Sequence, residues 1–135
     1  MPVEQTHRLT EPTELLHRQV HPQFIVAGRV SSQAFRPTPK DRGLLSVARS
    51  TLISARDAMD RYTAAGNATA GVMSVSVHEC ESLGLPAYSD PLPPDDDAHA
   101  VVDFNVFESK SKRETVGDRL AARARERGWQ ASKQP

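Results

Sequence analysis

Apolar and polar residues alternate most cleanly in "AGVMSVSVHEC", where Met73, Val75 and Val77 fall on one side and Ser74, Ser76 and His78 on the other. Period two is the spacing of a half-buried strand, so the pattern predicts one over about 71–79. "HAVVDFNVF" behaves alike: Ala100, Val102, Phe104 and Val106 make an apolar face, with His99, Val101, Asp103 and Asn105 turned away. These two strands, joined by the acidic loop "ESLGLPAYSDPLPPDDD", are expected to be sheet neighbours with Val75, Val77, Val102 and Phe104 inside. The loop itself is too rich in proline for a central strand.

The helical period appears elsewhere. Ala55, Ala58, Met59 and Tyr62 follow i, i+3, i+4, i+7, with Ser54 and Asp57 as an N-terminal cap and Gly66 as a stop. A second helix is expected from about Ser109 to Arg127, ending at Gly128, on the thin apolar set Val116, Leu120, Ala121 and Ala124, with Gly117 weakening it. Thr10, Glu11, Pro12 and Glu14 have the composition of a helix start, which predicts a third helix through "EPTELLHRQV" that Pro22 ends. "FIVAGRVSSQAF" and "LLSVARSTLI" read as strands, the first bent at Gly28, and "RPTPKDRG" between them as a turn-rich loop. The order helix, strand, strand, helix, strand, strand, helix implies an α+β fold: a small mixed, mostly antiparallel sheet with packed helices and a C-terminal helix. The expected organisation is a flexible N-terminus at 1–9, one domain at 10–107, and a basic C-terminal helix and tail at 108–135.

Composition narrows this. The 135 residues suffice for one modest core, and with aromatics at 5% that core must consist mainly of Val, Leu and Ala. No apolar run approaches the roughly 20 residues of a membrane span, and the N-terminal stretch lacks the pattern of a secretory signal. Cys80 is the only cysteine, which rules out an internal disulfide and suits a cytoplasmic setting. Net charge is zero but unevenly spread: residues 1–53 carry seven Lys/Arg against four Asp/Glu, 54–107 two against nine, and 108–135 eight against four. The simplest expectation is that the basic ends fold back on the acidic middle. The zero total argues against general nucleic-acid affinity.

Three constellations carry chemistry. Ser74, Ser76 and His78 would share a sheet face with His99, Asp103 and Asn105, a nucleophile–base–orienter set in outline but without a strained nucleophile turn. His17, His21, His78, Cys80, His99 and Asp103 offer metal-ligand atoms. Their close pairs are His17/His21, interrupted by Pro22, and His78/Cys80, so the expectation is no bound metal, with His78, Cys80 and His99 the weak candidates. Arg18, Arg29, Ser31 and Ser32 could hold a phosphate, through guanidinium forks and hydroxyl donors. The rigid "FRPTPKD" stretch fits a recognition loop and a stiff crossover equally well.

The order of "LHRQVHPQF", "GRVSSQAF" and "LLSVARSTLISARDAM" resembles the start of ADP-ribosyltransferase-like domains, especially the compact RES type. The resemblance spans about residues 15–62. It implies a split β-sheet that clamps NAD, with Arg18 on the pyrophosphate and Arg29, Ser31 and Ser32 on the nicotinamide side, and makes His17, Arg18, Ser31 and Ser32 the catalytic candidates. Val30 and Ser31 stand where RES domains have tryptophan and asparagine, and Met59, Asp60 and Arg61 where they have a glutamate. "HRQVHP" and "SQAFRPTPKD" also resemble a group of short bacterial proteins of no assigned chemistry. Because no complete catalytic set appears, the first expectation is a small cytoplasmic bacterial accessory protein that binds a protein partner and no cofactor. The alternatives are an NAD-binding, RES-like enzyme centred on Arg18 and a nucleic-acid-binding accessory protein using the basic tail.

Overall fold

The computed structural model describes residues 7–133. Its centre is a six-stranded antiparallel sheet with helices on both faces, the expected α+β class. The strands are β1 (Leu15–Val20), β4 (Leu44–Arg49), β5 (Gly71–Ser76), β6 (Ala87–Ser89), β7 (His99–Asp103) and β8 (Ala131–Ser132), in the spatial order β6-β7-β4-β1-β5-β8. A separate two-stranded ribbon comprises β2 (Ile25–Val26) and β3 (Arg29–Val30). The helices are α1 (Ala55–Ala64), α2 (Val77–Ser82) and α3 (Lys110–Arg127).

The expected first helix is instead β1, which lies inside the sheet, paired with β5 along its whole length and with β4 at one end. Leu16 and Val20 are fully buried on its core face, with the half-buried Arg18 between them. Pairing with β5 along its whole length and with β4 at Leu16 and His17 bonds much of its backbone, and this tertiary gain overrides the capping signals before it. The strand expected over 71–79 stops at Ser76, because Ser76 and Glu79 form a reciprocal capping box that starts α2. The S-x-x-E signature in "SVHE" was present, masked by the alternation that runs across it. The two late strands are not neighbours, since β1 and β4 lie between β5 and β7; Val75, Val77, Val102 and Phe104 are nevertheless all buried. "FIVAGRVSSQAF" supplies only the β2–β3 ribbon, turning at Ala27 and Gly28 with positive φ, then a 3-10 turn at Ser32–Phe35.

One sheet face is closed by α3 and that 3-10 turn around Leu16, Val20, Leu45, Val75, Val102 and Phe104. Gly117 is required there: a Cβ would lie 2.9 Å from Arg36 Cγ and 3.2 Å from the Phe35 carbonyl oxygen. The opposite face is covered only in part, where Ala55 and Met59 of α1 pack on Val72. Of the stretch expected to be loose at the N-terminus, residues 1–6 lie outside the described residues, while Leu9 is buried and donates its N–H to the Ala87 carbonyl. Among the described residues no helix is long and apolar enough to cross a membrane.

Two shielded ion pairs tie distant segments. Arg49 grips Glu14 through Nε and Nη2 at 3.0 and 3.3 Å, and Arg127 of α3 grips Glu79 of α2 at 2.7 and 3.2 Å. Burial pushes both carboxyls up. Bonds from Arg49 and Thr51 to Glu14, and from Arg127 and Ser76 to Glu79, outweigh it and hold both below the ordinary 4.5. A depressed folded-state pKa contributes stability that is fully present above the unfolded value and lost as pH falls through the folded one. The urea midpoint should therefore drop as pH is lowered below 4.5, and Glu79→Gln should start lower at neutral pH and lose less on acidification. An equal acid-induced drop in both proteins would show that the Glu79 pair contributes nothing.

Candidate functional site

The incompletely covered sheet face holds a cavity of about 740 Å³. Its existence follows from the register. The β1–β4 pairing is confined to Leu16↔Arg49 and His17↔Ala48, although β1 continues along β5 to Val20 and β4 along β7 to Leu44. Past His17 the two central strands part, and the sheet is split. Arg18 fills the gap, its Nε donating to the Ala34 carbonyl at 2.9 Å and its Nη1 to the Ser46 carbonyl at 3.0 Å, a β4 oxygen that the split leaves without a β1 partner. These bonds occupy two of the three guanidinium nitrogens, and the side chain lines the cavity. Burial lowers the Arg18 pKa, opposed by the nearby charge of Asp41.

Beside Arg18, His17 and Gln19 point from β1 into the same cavity. His17 is 6% exposed, and its Nδ1 lies 2.7 Å from the hydroxyl of Ser74, its fully buried partner on β5. Its Nε2 is buried with no hydrogen-bond partner, as is Gln19 Oε1. Burial lowers the His17 pKa, with a smaller opposing effect from the Ile53 backbone. The imidazole is therefore neutral at pH 7, with Nε2 as donor or acceptor according to the role Nδ1 takes toward Ser74. His17 Nε2 and Gln19 Oε1 are both buried, so a ligand in the cavity would meet them only after the surrounding side chains shift. The opposite wall is α1, where Tyr62 is 37% exposed at the cavity and Arg61 crosses to the Asp95 carbonyl at 3.2 Å and the Asp96 carboxylate at 3.8 Å. Thr38 and Asp41 close one end; Asp41 is fixed by the Thr38 N–H and hydroxyl, both at 2.7 Å.

The structure gathers His17, Arg18, His21 and His99 around this cavity, but not the other candidates. Arg18 comes to the segment that holds Ser31 and Ser32, yet bonds the Ala34 carbonyl there and neither serine. Ser31 caps that 3-10 turn, accepting from the Gln33 N–H, and neither serine lines the cavity. Arg29 is exposed on the β2–β3 ribbon. His17 and His21 do not share a helix: His17 is on a strand, and His21 Nδ1 accepts from the Gln23 N–H at 3.0 Å.

Because α2 replaces the end of the expected strand, His78 is exposed and Cys80 buried, so the two do not share a face. Ser76 is used as the cap of α2, Asp103 accepts from the Asn105 N–H, and His99 leans on Asp90. The candidate Ser–His–Asp set is thus not assembled; a serine–histidine contact forms instead between Ser74 and His17. Among the described residues no group of three His, Cys, Asp or Glu side chains could hold a metal ion. Burial, with the neighbouring Glu79 and Glu81, pushes the Cys80 thiol up to about 12. Cys80 should fail to react with a disulfide reagent at pH 8 in the folded protein and react once unfolded; fast reaction in the native state would refute its burial.

No family model, curated protein or solved structure matches this chain. The site must be read from its own geometry.

Two contributors, Gln19 and Tyr62, are not among the site candidates that the sequence offers. Tyr62 belongs to the apolar stripe of α1, yet it is partly exposed and lines the cavity. Gln19 gave no signal until β1 was known to be a strand, which puts it on the same face as His17.

Proposed function

We propose that the chain binds a nucleotide-class anion in this cavity, NAD being the ligand that the resemblance to RES-type domains supplies. The observation that carries the reading is Arg18 set in the split between β1 and β4, with one guanidinium nitrogen unspent at a cavity of about 740 Å³. That volume lies within the range of small-molecule and cofactor sites. A guanidinium held by two carbonyls is preorganised for phosphate, and its positive charge is not neutralised by a bonded carboxylate. Tyr62 and Phe24 add aromatic surface at the rim.

The proposal is one of binding. Transfer of an ADP-ribosyl group would call for a carboxylate near the sugar, and the acidic residues on the wall are Asp41, Asp95 and Asp96, of which Asp41 is tied to Thr38 and Asp96 to Arg61. The basic C-terminal helix buries Val116, Leu120, Ala121 and Ala124 in the chain's own core, so that apolar face is not left for a partner.

The test is calorimetric titration with NAD of the wild type and of Tyr62→Ala, with released nicotinamide measured alongside. Wild-type binding that weakens in Tyr62→Ala by about tenfold, the value of one lost base-stacking contact, supports the reading. Binding that is indifferent to Tyr62 places the ligand elsewhere.

A further inference from the structure

We propose a second, separate anion site in the cleft between the 36–43 loop and the first turns of α3, suited to a small phosphorylated compound. It does not depend on the function proposed for the main cavity. The sequence led to the expectation that the two basic ends would fold against the acidic middle. Arg8 and Arg127 do so, on Glu81 and Glu79, but in this cleft the two basic segments meet each other: Arg36 and Arg42 from the first and Lys110 and Arg113 from the second line about 410 Å³, with Glu114 the acidic residue on its wall. Like charges brought together raise the energy of the fold unless an anion joins them.

The details fit a built site. Arg42 and Lys110 are exposed, and neither has a carboxylate partner among the described residues. Arg113 spends Nε on the Phe107 carbonyl at 2.6 Å, which fixes the side chain while leaving its terminal nitrogens unbonded within the described chain. Arg36 bonds Asp118 through Nη2, and its Nε is buried without an acceptor.

The loop is held rigid by Pro37 and Pro39, by the Thr38–Asp41 box, and by Asn105 donating to the Arg42 carbonyl at 2.9 Å. Gly43 has positive φ, and a Cβ there would collide with the Asn105 side chain. A rigid, cation-lined cleft binds with little ordering cost. The "RPTPKD" stretch is thus assigned a recognition role beyond that of a stiff crossover. The cleft's small volume and the absence of an aromatic side chain on its walls favour a compact phosphorylated ligand over a nucleic-acid strand.

The experiment is titration of the full chain with inorganic pyrophosphate, read by calorimetry and by amide NMR shifts, on the wild type and on the double variant Arg42→Gln/Lys110→Gln. Neither side chain makes a hydrogen bond within the described protein, so the variant should fold as the wild type does; matching urea midpoints check this. The expected result is saturable binding that moves the Gly43 and Asn105 amides and weakens by about tenfold or more in the variant, through loss of two charged contacts. Equal affinity in the variant, no saturation at millimolar pyrophosphate, or shifts confined to Gln19 and Ser46 in the main cavity would each overturn the site. So would tighter binding of a single-stranded RNA with shifts running along α3, which would make the surface a nucleic-acid track.

Discussion

Phe104→Ala should lower the free energy of unfolding by about 3–5 kcal/mol, the usual cost of removing a large aromatic from a closed core. Phe104 is fully buried just beyond β7, and its N–H donates to the Gly43 carbonyl at 2.8 Å, which ties the end of the strand to the 36–43 loop. Its ring lies close to Gly117, where a Cβ would be 3.8 Å from Phe104 Cε2, so it fills the junction between sheet and α3. Few other side chains could expand into the void, since this core has few aromatics and is built largely of Val, Leu and Ala. The measurement is a urea titration of both proteins. A midpoint equal to the wild type's would mean that Phe104 is not at the centre of the core.

The sequence disclosed those parts of the fold that local pattern dictates. α1, with its Ser54 cap, and α3, ended by Gly128, appear where the period and caps put them. Met73, Val75, Val77, Ala100, Val102 and Phe104 are buried as expected, but Val106 is exposed, and Ser74, Ser76 and Val101 on the opposite faces are buried too. What failed depended on the choice of neighbours. "LLHRQV" has apolar residues at spacings that serve either a helix turn or a strand face, and only pairing with β4 and β5 decides for β1. The adjacency of β5 and β7 was assumed from their order in the chain, but β1 and β4 lie between them because β1 takes one edge of β5 and β4 one edge of β7.

The candidate site was legible in part for the same reason. His17 and Arg18 were singled out from "LLHRQV" on composition, and both line the cavity. Ser31, Ser32 and Arg29 were grouped with them on nearness in sequence, whereas the two-residue turn at Ala27 and Gly28 sends that segment away from the cavity. The split that makes the site is a matter of register, two paired positions where a longer strand pair would have closed the sheet, and no short sequence pattern encodes it.

Arg18→Ala should act on stability and on ligand binding together. The wild-type guanidinium satisfies the carbonyl of Ala34, a fully buried residue, and that of Ser46 across the split. Leaving a buried acceptor unpaired costs about 1–3 kcal/mol, so the variant should unfold at lower urea while remaining folded in buffer. If its free edge grips the ligand's phosphate, NAD binding should also weaken by about 1.5–3 kcal/mol, the range for a hydrogen bond to a charged group. Tyr62→Ala provides the control that separates the effects: Tyr62 is 37% exposed, so its loss should leave stability nearly unchanged and still reduce affinity. Titrations are compared at a temperature where all three proteins are fully folded by circular dichroism. A destabilised Arg18→Ala that binds NAD as tightly as the wild type would make Arg18 a strut across the split sheet and move the anion contact elsewhere. Absence of heat from the wild type itself at millimolar NAD would remove the nucleotide reading and leave the partner-binding one.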